Sequence, residues 1–133
     1  ESVTFHGDFA IHLQSHYKKL IDNRVIKSGG NNFELYFESN TIELIVEQLK
    51  GNGILFVHEL REQPWRQKVV RFYDPDNNII EIGETLEHLS FRLKKENLSN
   101  EEISKITNMP IDFVIDSIQQ YEQKNKAHTP NIV

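Results

Sequence analysis

The segment that decides the fold of this chain is residues 63–84, which read QPWRQKVVRFYDPDNNIIEIGE. Gln67 to Tyr73 and Ile79 to Gly83 are rich in β-branched and aromatic residues, which favour strands. Between them, residues 74–78 are Asp, Pro, Asp, Asn and Asn, the residue types that tight turns prefer. The segment therefore predicts two antiparallel strands joined by a short turn.

A strand and a helix precede this hairpin. Phe33 to Glu38 alternates strictly between apolar and polar residues, as a half-buried strand does. Asn40 or Thr41 can then cap a helix that ends at Gly51-Asn52-Gly53. Apolar residues recur within that helix at helical spacing, namely at Ile42, Leu44, Ile45 and Leu49.

A further strand is predicted from Ile54 to Leu60, with a loop from Arg61 to Arg66 leading into the hairpin. Residues 33–83 thus have the order β-α-β-β-β, which places the chain in the α+β class. We expect a curled sheet with the helix on its outer side and an open, concave inner side.

The sequence before this unit predicts another hairpin and a long connection. Two short strands within residues 3–14 flank the turn residues Gly7-Asp8, and residues 15–32 show no sustained apolar period. We therefore expect a linker there, with no more than a turn of helix. The chain begins with Glu1 rather than Met, so we also expect that its natural N-terminus is missing.

A helical tail is predicted after Glu84. Leu86, Leu89 and Leu93 share one helical stripe, and a second helix begins at Ser99, with Glu102 three residues later. Pro110 marks the start of a third helix. We assign residues 85–126 to this tail, and residues 127–133, which carry no packing pattern, to a flexible end.

Composition excludes several kinds of protein. The 133-residue chain has a net charge of −5 with no long basic run, which disfavours nucleic acid as a partner. Asp112 and Asp116 in the third tail helix would repel phosphates. There is no cysteine, and no apolar run reaches the roughly 20 residues that span a bilayer. We expect a cytoplasmic protein with no membrane contact.

The run from Gln63 to Glu84 resembles the closing hairpin of the glyoxalase/bleomycin-resistance/extradiol dioxygenase (vicinal oxygen chelate) superfamily. That family carries a PWG-x-R…F-x-DPDG-x-x-x-E pattern, and here Arg66 and Asn77 stand where glycine is usual. Asn accepts left-handed backbone, so the turn can still form. The resemblance covers residues 1–84: a partial first βαβββ module (1–14), the linker (15–32) and a full second module (33–84). It implies a truncated first module and pairing in a homodimer.

The resemblance also implies a site on the inner face. The family's metal-ligand positions fall on His12, Glu34 and Glu81, and Glu81 is in addition the candidate catalytic base. One imidazole and two carboxylates suit a divalent ion such as Zn, Ni, Mn or Fe, although many relatives have lost the metal. Candidate substrate-binding residues are Tyr36, His58, Trp65, Arg71 and Tyr73.

Two functions remain open from the sequence. One is metal-dependent lyase or isomerase chemistry on a small oxygenated substrate, in the manner of lactoylglutathione lyase or of a dioxygenase. The other is binding or sequestration of a drug or metabolite in the same cleft, without turnover and without a metal. The sequence names neither the substrate nor the role of the tail.

Overall fold

A computed structural model describes residues 2–5 and 9–127, with side chains over residues 10–124. The helices and strands in chain order are β1 (Ser2–Phe5), β2 (Phe9–His12), α1 (Gln14–Leu20), β3 (Glu34–Ser39), α2 (Ile42–Gly51), β4 (Phe56–Glu62), β5 (Lys68–Tyr73), β6 (Ile79–Glu84), α3 (Leu86–Lys95), α4 (Asn100–Thr107) and α5 (Ile111–Ala127). None of the helices in this described part is long and apolar enough to cross a membrane.

Strands β3 to β6 form a four-stranded sheet in the order β3-β6-β5-β4. Strand β3 runs parallel to β6, whereas β6, β5 and β4 pair antiparallel. The α+β class and the β-α-β-β-β order predicted from the sequence are confirmed. Strands β1 and β2 form a separate two-stranded antiparallel sheet, which confirms the first hairpin.

The predicted loop before β5 and the predicted linker before β3 are both shorter in the structure than the sequence indicated. Arg61 and Glu62 were expected in a loop but belong to β4, because they pair with Val69 and Lys68 of β5. Helix α1 occupies seven residues where at most one helical turn was expected, and its first residue, Gln14, was expected in a strand. Ala127, expected in the flexible end, is the last residue of α5, and residues 128–133 lie outside the described part.

The turn between β5 and β6 is held by Asp74. Its Oδ1 accepts hydrogen bonds from the backbone N–H groups of Asp76 (2.9 Å) and Asn78 (2.8 Å). Asn77 has a φ of 62°, the left-handed conformation that asparagine tolerates better than most residues. Asparagine can therefore replace the family's usual glycine at this position without losing the turn.

Helix α2 covers the outer face of the sheet. Ile42 and Val46 of α2 and Val70 of β5 form its buried core, and the apolar side chains packed against them are Phe56, Leu60 and Ile82. Because side chains alternate along a strand, the neighbours of Val70 and Ile82 point to the opposite, inner face. That face is partly covered, since Val69 and Glu81 are buried there, whereas Tyr36 is 47% exposed.

The helical tail has a core of its own. Its buried members all come from α3, α4, α5 and the connection before α5, namely Leu89, Leu93, Ile103, Met109, Val114 and Ile118. The predicted capping box is present: the Ser99 hydroxyl accepts from the Glu102 N–H, and the Glu102 carboxylate accepts from the Ser99 N–H. The tail therefore packs as a small three-helix unit directly after β6.

Candidate functional site

The register of the sheet brings several of the predicted site residues together on the inner face. Arg71 of β5 lies opposite Glu81 of β6, and Glu81 lies opposite Tyr36 of β3. His58 of β4 pairs with Arg71 from the other side, next to a register shift in that strand. One row across the sheet thus carries an imidazole, a guanidinium, a carboxylate and a phenol.

Arg71 is the centre of this row. Its Nε donates to Glu34 Oε2 at 2.7 Å, and its Nη2 contacts Glu81 Oε2. Its Nη1 lies 3.2 Å from Nε2 of His58. We call Glu34, His58, Arg71 and Glu81 the Arg71 cluster. Charge-assisted hydrogen bonds of this kind hold the guanidinium in a defined orientation.

The contacts of His58 assign its tautomer. A guanidinium only donates hydrogen bonds, so the Nε2 that faces Arg71 must be the unprotonated nitrogen. Nδ1 then carries the proton and donates it to the carbonyl oxygen of Glu59 at 2.8 Å. In this arrangement His58 offers its Nε2 lone pair to the cluster.

The pKa values of the two carboxylates in the Arg71 cluster are shifted in opposite directions. The hydrogen bond from Arg71 is the main cause that lowers the pKa of Glu34, and burial opposes it. Burial is the main cause that raises the pKa of Glu81, which is only 7% exposed, and the charge of Glu34 adds to it while Arg71 opposes it. The pKa of Glu34 therefore lies below that of Glu81, because the arginine favours the charged form of Glu34 and burial favours the neutral form of Glu81.

A further side chain, Gln67, which sequence reasoning missed, adjoins the cluster and joins two of the predicted residues. Gln67 is buried, with 6% exposure, and donates from Nε2 to the Tyr36 hydroxyl at 3.0 Å. Its Oε1 accepts from Trp65 Nε1 at 3.0 Å. The signal that could have found it is the alternation along the predicted strand, which puts Gln67 on the same face as Arg71 and Tyr73.

The remaining predicted residues lie at the edges of the site or away from it. The Tyr73 hydroxyl donates to Asn31 Oδ1 at 3.0 Å, which ties the linker to β5. Trp65 is 44% exposed in the turn between β4 and β5. His12 lies in the other sheet, where its ring stacks on His16 and Tyr17 at centroid distances of 5.6 and 5.7 Å.

The described residues do not fit the expected metal site. Within the part of the chain that the structure describes, no three His, Asp or Glu side chains are grouped closely enough to hold an ion. The two candidate carboxylates, Glu34 and Glu81, both contact the guanidinium of Arg71, a cation that stays protonated in proteins. Arg71 thus already supplies positive charge between them.

Comparison with known proteins identifies relatives of this chain. Residues 1–87 match a family model described as a glyoxalase-like domain. A solved structure of a protein of unknown function from Agrobacterium tumefaciens is 34% identical, with a TM-score of 0.55, over 64% of this chain and 68% of that one. No curated protein sequence matches significantly.

Two other solved structures carry the superfamily description in their names. A member of the glyoxalase/bleomycin resistance protein/dioxygenase superfamily from Sphaerobacter thermophilus is 28% identical, with a TM-score of 0.44, over 57% of this chain and 56% of that one. A glyoxalase/bleomycin resistance protein/dioxygenase from Nocardioides is 18% identical, with a TM-score of 0.46, over 59% of this chain and 55% of that one. This chain therefore spans little more than half the length of these two proteins.

Proposed function

This chain belongs to the glyoxalase-like domain family, and from that premise we propose that it binds a small oxygenated molecule on the inner face of its sheet. The observation that supports this proposal is the Arg71 cluster. Burying a carboxylate such as Glu81 is costly unless it is paired, and carboxylates with perturbed pKa values cluster at functional sites. The outer face of the same sheet, by contrast, is packed with apolar side chains against α2.

The chemistry of the inner face suits oxygen-bearing ligands. Arg71 donates hydrogen bonds in a planar fork, which matches carboxylate, carbonyl and vicinal oxygen atoms. Tyr36 and Trp65 add partly exposed aromatic surface beside it. Polar groups that converge beside aromatic side chains are the usual composition of a small-molecule site. A second copy of the chain that completes the partial first module and closes the cleft is part of the same proposal.

The opposite pKa shifts of Glu34 and Glu81 favour a second candidate, turnover of the bound molecule by proton transfer. Two neighbouring carboxylates whose pKa values are pushed apart often divide the roles of anion and proton carrier. In this version Glu81 removes or returns a proton on the ligand, as in lyase or isomerase chemistry. Metal-assisted chemistry stays a prediction of the family resemblance. The proton transfer runs through Glu81 alone, because the described residues do not fit a metal ion.

Binding is tested by titrating small α-dicarbonyl, 2-hydroxy acid and vicinal diol compounds into the isotope-labelled protein and following its amide and indole NMR signals. We expect shifts centred on β3, β5 and β6. Arg71→Met should weaken binding roughly tenfold or more, because a charged hydrogen-bonding group is lost. The matched control is Lys68→Met on the same strand, since Lys68 points to α2 and pairs with Glu43. Equal binding in both variants would remove the Arg71 cluster from the site.

Proton transfer is tested separately by following deuterium uptake from heavy water into any compound that binds. Glu81→Gln should leave binding nearly unchanged but slow the exchange by about 10²-fold or more, the usual contribution of a general acid–base group. An exchange rate that Glu81→Gln does not alter would leave binding as the function and exclude Glu81 as the proton carrier.

A further inference from the structure

The buried amide of Gln67 has three hydrogen-bond partners, and each comes from a different part of the chain. Its Nε2 donates to the carbonyl oxygen of Glu84 at 2.7 Å and to the Tyr36 hydroxyl at 3.0 Å, and its Oε1 accepts from the Trp65 indole. These partners lie at the end of β6, in β3 and in the turn before β5. One buried side chain thus joins the strand end to both aromatic residues of the site.

The partners leave only one orientation for this amide. The Glu84 carbonyl accepts but cannot donate, so it must face the NH₂ group, and the Trp65 indole donates but cannot accept, so it must face the oxygen. Rotating the amide by half a turn would place its NH₂ group against the indole N–H, which is also a donor. It would place its oxygen against the Glu84 carbonyl oxygen, which is also an acceptor. The Gln67 amide therefore presents its oxygen to Trp65 and its NH₂ group to Tyr36.

That orientation of the amide determines which further hydrogen bonds the Tyr36 hydroxyl can make. A phenol has one proton to donate and can accept hydrogen bonds. The proton is donated to Glu38 Oε1 at 2.8 Å, and one hydrogen bond is accepted from Gln67 Nε2. Tyr36 as a whole residue is 47% exposed, and its oxygen, with its proton already donated to Glu38, is left only an acceptor role towards a molecule on the inner face.

Gly83 provides the space for this arrangement. A Cβ atom at this position would lie 2.7 Å from the Tyr36 hydroxyl and 3.0 Å from Gln67 Nε2. Real Cβ atoms essentially never approach another atom as closely as the first of these distances. A glycine at this point of β6 thus lets the Tyr36 ring and the Gln67 amide meet over the strand.

We propose that Gln67 is a positioning residue: it holds Trp65 and the Tyr36 hydroxyl on the inner face so that the hydroxyl accepts a hydrogen bond from the ligand. The preferred ligand must then carry a hydrogen-bond donor, such as a hydroxyl or an N–H group, at that point. The ligand half of this inference rests on the proposed function, whereas the positioning half concerns the protein alone.

The positioning half is tested without a ligand. Trp65 is the only tryptophan in the chain, so the protein gives a single indole N–H signal in NMR spectra. In Gln67→Met, which keeps the length of the side chain and removes its hydrogen bonds, we expect indole exchange with solvent to quicken about fivefold, the factor that a typical net hydrogen bond represents. Gln63→Met in the same turn is the matched control and should leave the exchange rate unchanged.

Two more variants keep this test decisive if Gln67→Met folds poorly. Gly83→Ala keeps the hydrogen-bonding groups of Gln67 but crowds both its Nε2 and the Tyr36 hydroxyl, and the displacement of Tyr36 should be seen as a shift of its ring signals. Tyr36→Phe should leave indole exchange unchanged, because Glu84 and Trp65 still orient the amide. Unchanged indole exchange in Gln67→Met, or unchanged Tyr36 signals in Gly83→Ala, would overturn the positioning role.

The ligand half is tested with phenol and anisole, which have similar shapes but differ in having or lacking a donor. We expect phenol to bind about fivefold more tightly, and we expect this preference to vanish in Tyr36→Phe and to shrink in Gln67→Met. Equal binding of the two probes would overturn the acceptor assignment while leaving the proposed function in place. If neither probe perturbs the inner face, the acceptor assignment and the proposed function both fail for such ligands, and indole exchange still decides the positioning role.

Discussion

Arg92 donates hydrogen bonds to both carboxylate oxygens of the fully buried Glu84, with Nε 2.9 Å from Oε1 and Nη2 2.9 Å from Oε2. Glu84 is the last residue of β6, and Arg92 lies in α3. The same Nη2 donates to the carbonyl oxygen of Arg66 at 2.6 Å. One guanidinium therefore fastens the helical tail to the sheet and to the turn that carries Trp65.

We predict that Arg92→Met destabilises the protein strongly. The variant leaves the Glu84 carboxylate buried without its main counter-ion, a change that costs about 3 to 5 kcal/mol in other proteins. Urea denaturation followed by circular dichroism measures the loss in the free energy of unfolding. Arg66→Met is the control, since its pairs with Glu62 and Glu96 are partly exposed and should contribute less than about 1 kcal/mol. Equal losses in the two variants would contradict the assigned role of Arg92.

The same pair predicts acid sensitivity. Burial alone would raise the pKa of Glu84, but hydrogen bonds from His88 and Arg92 outweigh it and hold the pKa at about 2, against 4.5 for an ordinary glutamate. Because the folded value is the lower one, this stabilisation is present above about pH 4.5 and is lost as the pH falls towards 2. The loss should reach roughly 3 kcal/mol.

The measurement is the free energy of unfolding between about pH 6 and pH 2, compared with that of Glu84→Gln. The variant should be less stable near neutral pH and should depend less on pH over the acid range. Glu87→Gln, three residues further on at the start of α3, serves as the control and should retain the wild-type slope. A slope that Glu84→Gln leaves unchanged would show that other carboxylates cause the acid sensitivity.

The backbone conformation at Arg66 predicts that glycine and alanine variants at this position differ in stability. Arg66 has a φ of 71°, a conformation that costs a residue with a Cβ atom about 1 to 2 kcal/mol relative to glycine. Arg66→Gly and Arg66→Ala lose the same ion pairs, but only glycine relieves the strain. We expect the glycine variant to be more stable than the alanine variant by about 1 kcal/mol in thermal or urea denaturation. A more stable alanine variant would contradict the left-handed backbone.

The separate core of the tail predicts a local effect. Leu93 is fully buried among tail residues, so Leu93→Ala should cost about 3 kcal/mol through the cavity that it leaves. Hydrogen exchange should show the largest loss of protection in α3, α4 and α5, with a smaller loss in β5 and β6. Leu44→Ala, at a position that is 58% exposed, should have little effect. An equal loss of protection throughout the chain would show that tail and sheet unfold as one unit.

Features set by near neighbours in the chain could be predicted from the sequence. The Asp74 turn and the Ser99–Glu102 capping box form as predicted, because their contacts span only a few residues. The inner-face placement of Glu34, Arg71 and Glu81 could also be anticipated, since alternation along a strand requires only the strand itself. The class and the family followed from the same local patterns, read together.

The contacts between these side chains depend on strands that are far apart in sequence. Strand β6 lies between β3 and β5, so Glu34 meets an arginine 37 residues away, and register shifts in β4 bring His58 to the same group. The role of Gln67 likewise arises only where Gly83 leaves room for Tyr36. Local pattern therefore determined which residues face the site, whereas strand order and register decided which of them meet. Pairing between distant strands depends on the packing of the whole sheet, which no short stretch of sequence contains.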